Sequence, residues 1–289
     1  MPWLTHEFVW GVNRMAREKF KILLKEKPTY LVALCLLILL VGLALIAPLL
    51  PMDPTRIDVS QLQEAPSLSH WFGTDEVGRD YLIRVLYGGR VSLFVGFLAM
   101  LVSLGVGTVI GLLSGYFGGW VDTFCMRLVD VISAIPWLVL AIVFTVFFKP
   151  GMTTIIMIIG FFSWMPIARL VRAETLAVRE RHYVKYAQFI GVGPLRLIGR
   201  HILTSIVPTI MVASTSSIAG AIMTESTLSF LGLGIQPPQA SWGNLLQTAQ
   251  SNLQAAPHMA LIPGALIMLT IFAFNEVGNL IRDLTQREV

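Results

Sequence analysis

The chain predicts an all-α polytopic membrane protein with six transmembrane helices and cytoplasmic N- and C-termini. Three observations carry that prediction. Hydrophobic residues make up 55% of the sequence and charged residues 13%, whereas a soluble domain carries roughly 25% charged residues. The charges are also grouped. Residues 28–52, 91–121, 131–148, 150–168, 201–224 and 226–275 contain no Lys, Arg, Asp or Glu, and a helix needs about 20 apolar residues to cross the hydrocarbon core. The last of these stretches is rich in Gln, Asn, Ser and Pro between Gln236 and Gln254, so only 258–280 is expected to span. Finally, the basic residues are asymmetric. With the N-terminus inside, every Lys and Arg except Arg56, Arg79, Arg84, Arg90 and Lys149 falls on the cytoplasmic side, as the positive-inside rule requires.

The elements follow in order. Residues 1–28 mix Trp3, Phe8, Trp10 and Phe20 with six basic residues, a composition suited to a cytoplasmic amphipathic segment at the membrane surface. The membrane domain then occupies 29–289. Its first span, Tyr30–Leu50, is longer than a signal-peptide core, and no small-residue cleavage site follows. An acidic outer loop covers 52–90. Span two, about 91–116, carries Gly107, Gly111 and Gly115, a small-residue stripe that lets another helix approach closely. Pro136 is expected to kink span three, 131–148, and Pro166 lies near the inner end of span four, 150–168. Lys149-Pro150-Gly151 joins those two as a tight hairpin.

Span five contains Ser214-Thr215-Ser216-Ser217 and then Glu225. Ser214 and Ser217 lie three apart, on one helical face, and are candidates for a translocation path. Helix–helix hydrogen bonding is the other reading of these hydroxyls. Glu225 is either a polar group on that path or a hydrated structural carboxylate at the outer end of the span. Its closeness to the polar loop favours the second.

Several function classes are excluded. There is no G-x-x-x-x-G-K-[ST] sequence, so the chain is not expected to bind ATP, and no cofactor is expected. No Ser-His-Asp set or paired carboxylates share a span, so an intramembrane enzyme is not expected. Cys35 and Cys125 do not read as a disulfide, and the five histidines are scattered without metal-ligand spacing. Nothing in the chain points to nucleic acid.

The segment 169–204 is too basic for lipid and too regular for a linker. Helix formers run from Ala173 to Ile190, Gly191-Val192-Gly193-Pro194 breaks the helix, and an apolar-basic pattern resumes from Leu195 to Leu203. Such a helix–turn–helix presents a compact knob to a soluble partner. Gly191 would supply the sharp turn, and Ala187 would allow close approach. A basic loop held against anionic lipid head groups is the competing reading.

This knob resembles the coupling loop in membrane subunits of ATP-binding-cassette importers. That loop has a Glu-Ala-Ala start, a Gly four residues after the second Ala, and a Leu-Pro near its end. Ala187, Gly191 and Leu203 match; Lys185, Tyr186 and Thr204 replace Glu, Ala and Pro. Further stretches are similar to the second permease subunit (C-type) of the dipeptide, oligopeptide and nickel branch. They are His70-Trp71-Phe72-Gly73-Thr74-Asp75-Glu76-Val77-Gly78-Arg79-Asp80, Gly115 to Asp122, Leu228 to Gly243, and Phe274-Asn275 through Asp283.

The resemblance covers about 30–289. It implies a multi-pass permease of the bacterial inner membrane, half of a translocation pathway for di- or oligopeptides, with nickel or cationic peptides as the alternatives. It also implies a second permease subunit, two cytoplasmic ATP-hydrolysing subunits and an extracytoplasmic solute-binding protein, all embedded in or bound to membrane lipid. Tyr183, Lys185, Tyr186, Ala187, Gly191 and Leu203 would then form the ATPase-coupling loop. A secondary carrier is the runner-up, but the interiors of spans one to four hold none of the charged groups that ion coupling requires.

Overall fold

A computed structural model describes residues 17–285, and within them the chain is helical with no β-strand. The surface segment expected around Trp3, Phe8 and Trp10 lies mostly outside the described residues, which begin in a helix over 17–26. Five helices are long and apolar enough to cross a membrane, or six if one bent pair counts as a single span.

Helix α1, Pro28–Ile46, begins with Pro at its first position, where a missing N–H costs nothing, and ends in a 3₁₀ turn, Ala47–Leu49. Near its start, Lys27 and Tyr30 both hydrogen-bond Asp283 at 2.7 Å, which pins α1 to the end of the last helix.

Helix α2, Tyr81–Phe117, begins ten residues before the uncharged stretch at 91. Asp80 caps it by accepting the Ile83 N–H at 3.0 Å, and Arg84 is buried under the loop instead of ending the helix. Charge gaps mark where lipid begins, not where a helix does. The glycine stripe faces helix α5, Met152–Arg179. A Cβ on Gly107, Gly111 or Gly115 would sit 2.7 Å from Ile167 Cβ, Ala168 O or Thr175 Cβ respectively. The α2–α5 pair is the most extensive in the molecule.

The third expected span is not one kinked helix. Helix α3, Gly119–Ser133, and helix α4, Trp137–Phe147, meet at 83°. Pro136 precedes α4, so its ring ends one helix path and starts another. Two ion pairs clamp α3 across α5: Asp122 with Arg172, and Asp130 with Arg169 at 2.9 Å. α5 passes straight through Pro166 and ends at Arg179, eleven residues beyond the predicted 168.

Helix α6, His182–Phe189, is followed by a turn and then by α7, Pro194–Phe230, which runs continuously through a π-helical turn at Ile198–Ile202. The helix expected from Ala173 to Ile190 is therefore broken at Glu180-Arg181. The polar 231–257 segment was expected as a loop but contains α8, Trp242–Ala249. Ser241 and Asn244 form a reciprocal capping box at its start. α9, His258–Thr285, completes the bundle.

The 52–80 loop folds upon itself around two carboxylates. Asp75 is buried, accepts the Val77 and Arg79 N–H groups at 3.0 and 2.9 Å, and faces Arg79 Nε at 2.6 Å and Arg84 Nε at 3.3 Å. His70 bridges Asp80 and Gln61 at 2.8 and 3.0 Å. Gly73 and Gly78 have φ of 74° and 80°, and a Cβ on Gly78 would lie 1.7 Å from Asp58 O. The His70–Asp80 motif is thus a folding motif for this loop and for the start of α2.

Candidate functional site

The knob is built on its own apolar core. Val178 at the end of α5, Val184 and Ala187 of α6, and Leu197, Ile198, Ile202 and Ile206 of α7 are buried together. Fully burying one such aliphatic side chain contributes about 1.5–3 kcal/mol, enough for a short helix to be held by its neighbours. Gly191 then reverses the chain at φ 84°, with its N–H donating to Gln188 O at 3.0 Å and the next N–H, of Val192, reaching Ala187 O at 3.0 Å. This is the left-handed helix end that glycine adopts without a Cβ penalty. Pro194 restarts the helix at its first position.

The sequence-expected residues divide between the two faces of α6. Ala187 is buried, so its small size serves packing inside the chain and not the approach of a partner. Leu203 likewise packs against the internal core. Lys185 pairs with Glu180 at 2.7 Å, an exposed contact within the loop that holds the Glu180 carboxyl below its ordinary pKa. Tyr183 shares a 2.7 Å hydrogen bond with Ser205 and so ties α6 to α7. The outward face is apolar: Tyr186 is 67% exposed, Phe189 89% and Leu195 81%, with Ile190 beside them. Phe189 and Leu195 were missed in sequence because an apolar residue in an amphipathic pattern reads as core, and only the fold shows these two facing outward. An aromatic at the last turn before a Gly break was the available signal.

Beside the knob, a cavity of about 680 Å³ opens between α5, α7 and α9. Glu174, Arg181 and Arg282 line it together with Thr209, Ser216 and Ser217. Ser217 is therefore on its wall. Ser214 is not, and its hydroxyl donates within the helix to Met211 O at 2.7 Å. The cavity wall carries Ser216 and Ser217 together, because the groove follows residues three and four apart along α7 from Ser205.

Glu225 is also corrected. It is fully buried, not hydrated at an interface. Ser92 of α2 and Ser229 of α7 donate to its carboxyl at 2.8 and 2.7 Å. Those hydroxyls in turn accept the N–H groups of Trp242 at 3.1 Å and Ile235 at 3.1 Å. Glu225 thereby fastens the α7–α8 connection to α2, and it lines none of the cavities described. The sequence places it near a polar loop but does not show that this loop folds back over it.

Apolar spanning helices, a basic knob with an exposed apolar tip, and a polar cavity opening beside that knob define an integral membrane permease. Residues 107–289 match the family of binding-protein-dependent transport system inner membrane components. The chain is 40% identical over 248 residues to a glutathione transport system permease protein of Pectobacterium atrosepticum, covering 85% of this chain and 82% of that protein. A protein of the same description from Escherichia coli is 39% identical, with the same coverage. Among solved structures, the MetNI methionine ABC transporter in an inward-facing conformation aligns with a TM-score of 0.58 at 14% identity, covering 71% of this chain and 98% of that one. An amino acid ABC transporter aligns at 0.55 and 17%, covering 69% and 93%. The chain belongs to the binding-protein-dependent transport permeases and is the multi-pass inner-membrane permease subunit of an ATP-binding-cassette importer. Membership implies a transmembrane partner and ATPase subunits.

Proposed function

We propose that this permease forms half of a pathway for short peptides and that its knob is the surface on which a cytoplasmic ATPase subunit docks. The observation that carries the docking is the exposed apolar tip. Phe189, Leu195, Tyr186 and Ile190 project from a knob whose own core is complete without them, and the same knob carries the exposed basic residues Arg181, Lys185, Arg196 and Arg200. An exposed apolar patch with a polar rim marks a protein interface. The peptide class is supported by relatives named for glutathione, itself a modified tripeptide, and by the mixed-sign lining of the cavity. ATP would be hydrolysed in two separate subunits, and a second permease would supply the other half of the pathway. A solute-binding protein would deliver the peptide. In this reading both termini and the knob are cytoplasmic, and the 52–80 loop and α8 face outward.

The test is a paired substitution, Phe189→Asp with Leu195→Asp. The protein is expected to insert normally while its ATPase subunits are lost on purification. Retention of those subunits with undiminished uptake would remove the docking assignment.

A further inference from the structure

A second cavity, of about 380 Å³, lies at the opposite end of the bundle from the knob. Four segments converge on it: Pro54 and Thr55 after α1, Tyr87 to Phe94 of α2, Met152 at the start of α5, and Pro238 to Ala240 before α8. Among the described residues, neither the Arg90 guanidinium nor the Tyr87 hydroxyl has a hydrogen bond or ion pair. An unneutralised arginine beside a free phenol suits an oxyanion, which a guanidinium holds with two parallel N–H donors.

Position decides which oxyanion. Arg90 is the last charge before the uncharged stretch 91–121, so it stands where headgroups meet hydrocarbon. Below it on the same α2 face run Phe94, Phe97 and Leu101, each close to half exposed. From Arg90 to Leu101 the helix descends about 16 Å, half the hydrocarbon thickness and the reach of one acyl chain. That strip offers a peptide backbone no polar group, so a carboxylate-bearing solute that entered here would have no way onward. We infer that the cavity is a phospholipid site, with the phosphate held by Arg90 and Tyr87 under the roof of Pro54 and Pro238, and an acyl chain along Phe94, Phe97 and Leu101. The proposal rests on the membrane-spanning fold alone and stands or falls separately from the transported solute.

The test uses the full-length permease with its partner subunits. It is reconstituted in nanodiscs holding equal amounts of phosphatidylglycerol and a diacylglycerol with the same chains, and retained lipid is then counted by native mass spectrometry. The wild type is expected to keep the phospholipid about tenfold over the diacylglycerol, the discrimination a charge-assisted bidentate contact provides. Arg90→Gln should abolish that preference, Arg90→Lys should keep part of it, and Arg56→Gln in the neighbouring loop should leave it intact. Equal retention of the two lipids by the wild type would overturn the proposal without any variant having to fold. Displacement of the phospholipid by a short peptide, but not by its C-terminal amide, would also overturn it and assign the cavity to solute.

Discussion

Asp75 shows how much of this protein depends on single polar residues in a mostly apolar chain. It is buried against Arg79 and Arg84, and among the described residues Arg84 has no other carboxylate within ion-pairing distance. Removing one partner of a buried pair leaves an uncompensated charge and costs about 3–5 kcal/mol. Asp75→Asn is therefore expected to lower the unfolding temperature markedly and cut the amount of protein in the membrane. Glu64→Gln, at an exposed position of the same loop, should stay within about 0.5 kcal/mol. Thermal unfolding followed by fluorescence-detected size exclusion reads both, and equal melting of the two variants would contradict the role given to Asp75. At this scale the sequence was partly readable. The motif around Asp75 was visible, but its meaning was not, because its partners Gln61, Arg84 and Asp58 are recruited by a chain reversal. Glu225 was misplaced for the same reason: Ser92 lies 133 residues away in sequence.

Among the helices, the α2–α5 contact sets the frame against which the others pack. A Cβ on Gly111 would lie 2.7 Å from Ala168 O and from Val171 Cβ, whereas one on Gly105, on another face of α2, would have nothing within 4 Å. Gly111→Leu is expected to destabilise by about 1–3 kcal/mol through overpacking. Gly105→Ala should be neutral or slightly stabilising, because alanine is the better helix former by about 1 kcal/mol. The same melting assay separates the two, and an unchanged Gly111→Leu would mean the stripe is not an interface. In the knob, Ile202→Ala should cost about 2–5 kcal/mol by opening a cavity under α6. Limited proteolysis would show it as cleavage near Gly191, while the rest of the bundle stays resistant. The spans and the glycine stripe were legible because lipid and close packing each leave a simple one-dimensional mark. The 83° bend at Pro136, the passage of α5 through Pro166 and the existence of α8 were not. Proline permits a kink or a continuous helix depending on neighbours that satisfy the freed carbonyl, and α8 is short enough to owe its stability to Trp242 packing on α2.

For the whole molecule, orientation and energy source belong together, since an ATPase can reach the knob only from the cytoplasm. With Cys35 and Cys125 replaced by serine, a single cysteine at Leu68, which is almost wholly exposed, should react with an impermeant maleimide from outside intact cells. One at Gln188 should react only after permeabilisation. The reverse pattern would invert the topology and detach the knob from its proposed partner. Uptake of a labelled short peptide into proteoliposomes reads out whether the permease is ATP-driven and coupled through the tip of its knob. The proteoliposomes would hold the permease with its partner subunits and binding protein. Uptake is expected to require ATP, to be indifferent to a pH gradient, and to be lost in the Phe189→Asp, Leu195→Asp protein at unchanged membrane content. Uptake that runs on a pH gradient without ATP, or that survives those two substitutions, would contradict that coupling.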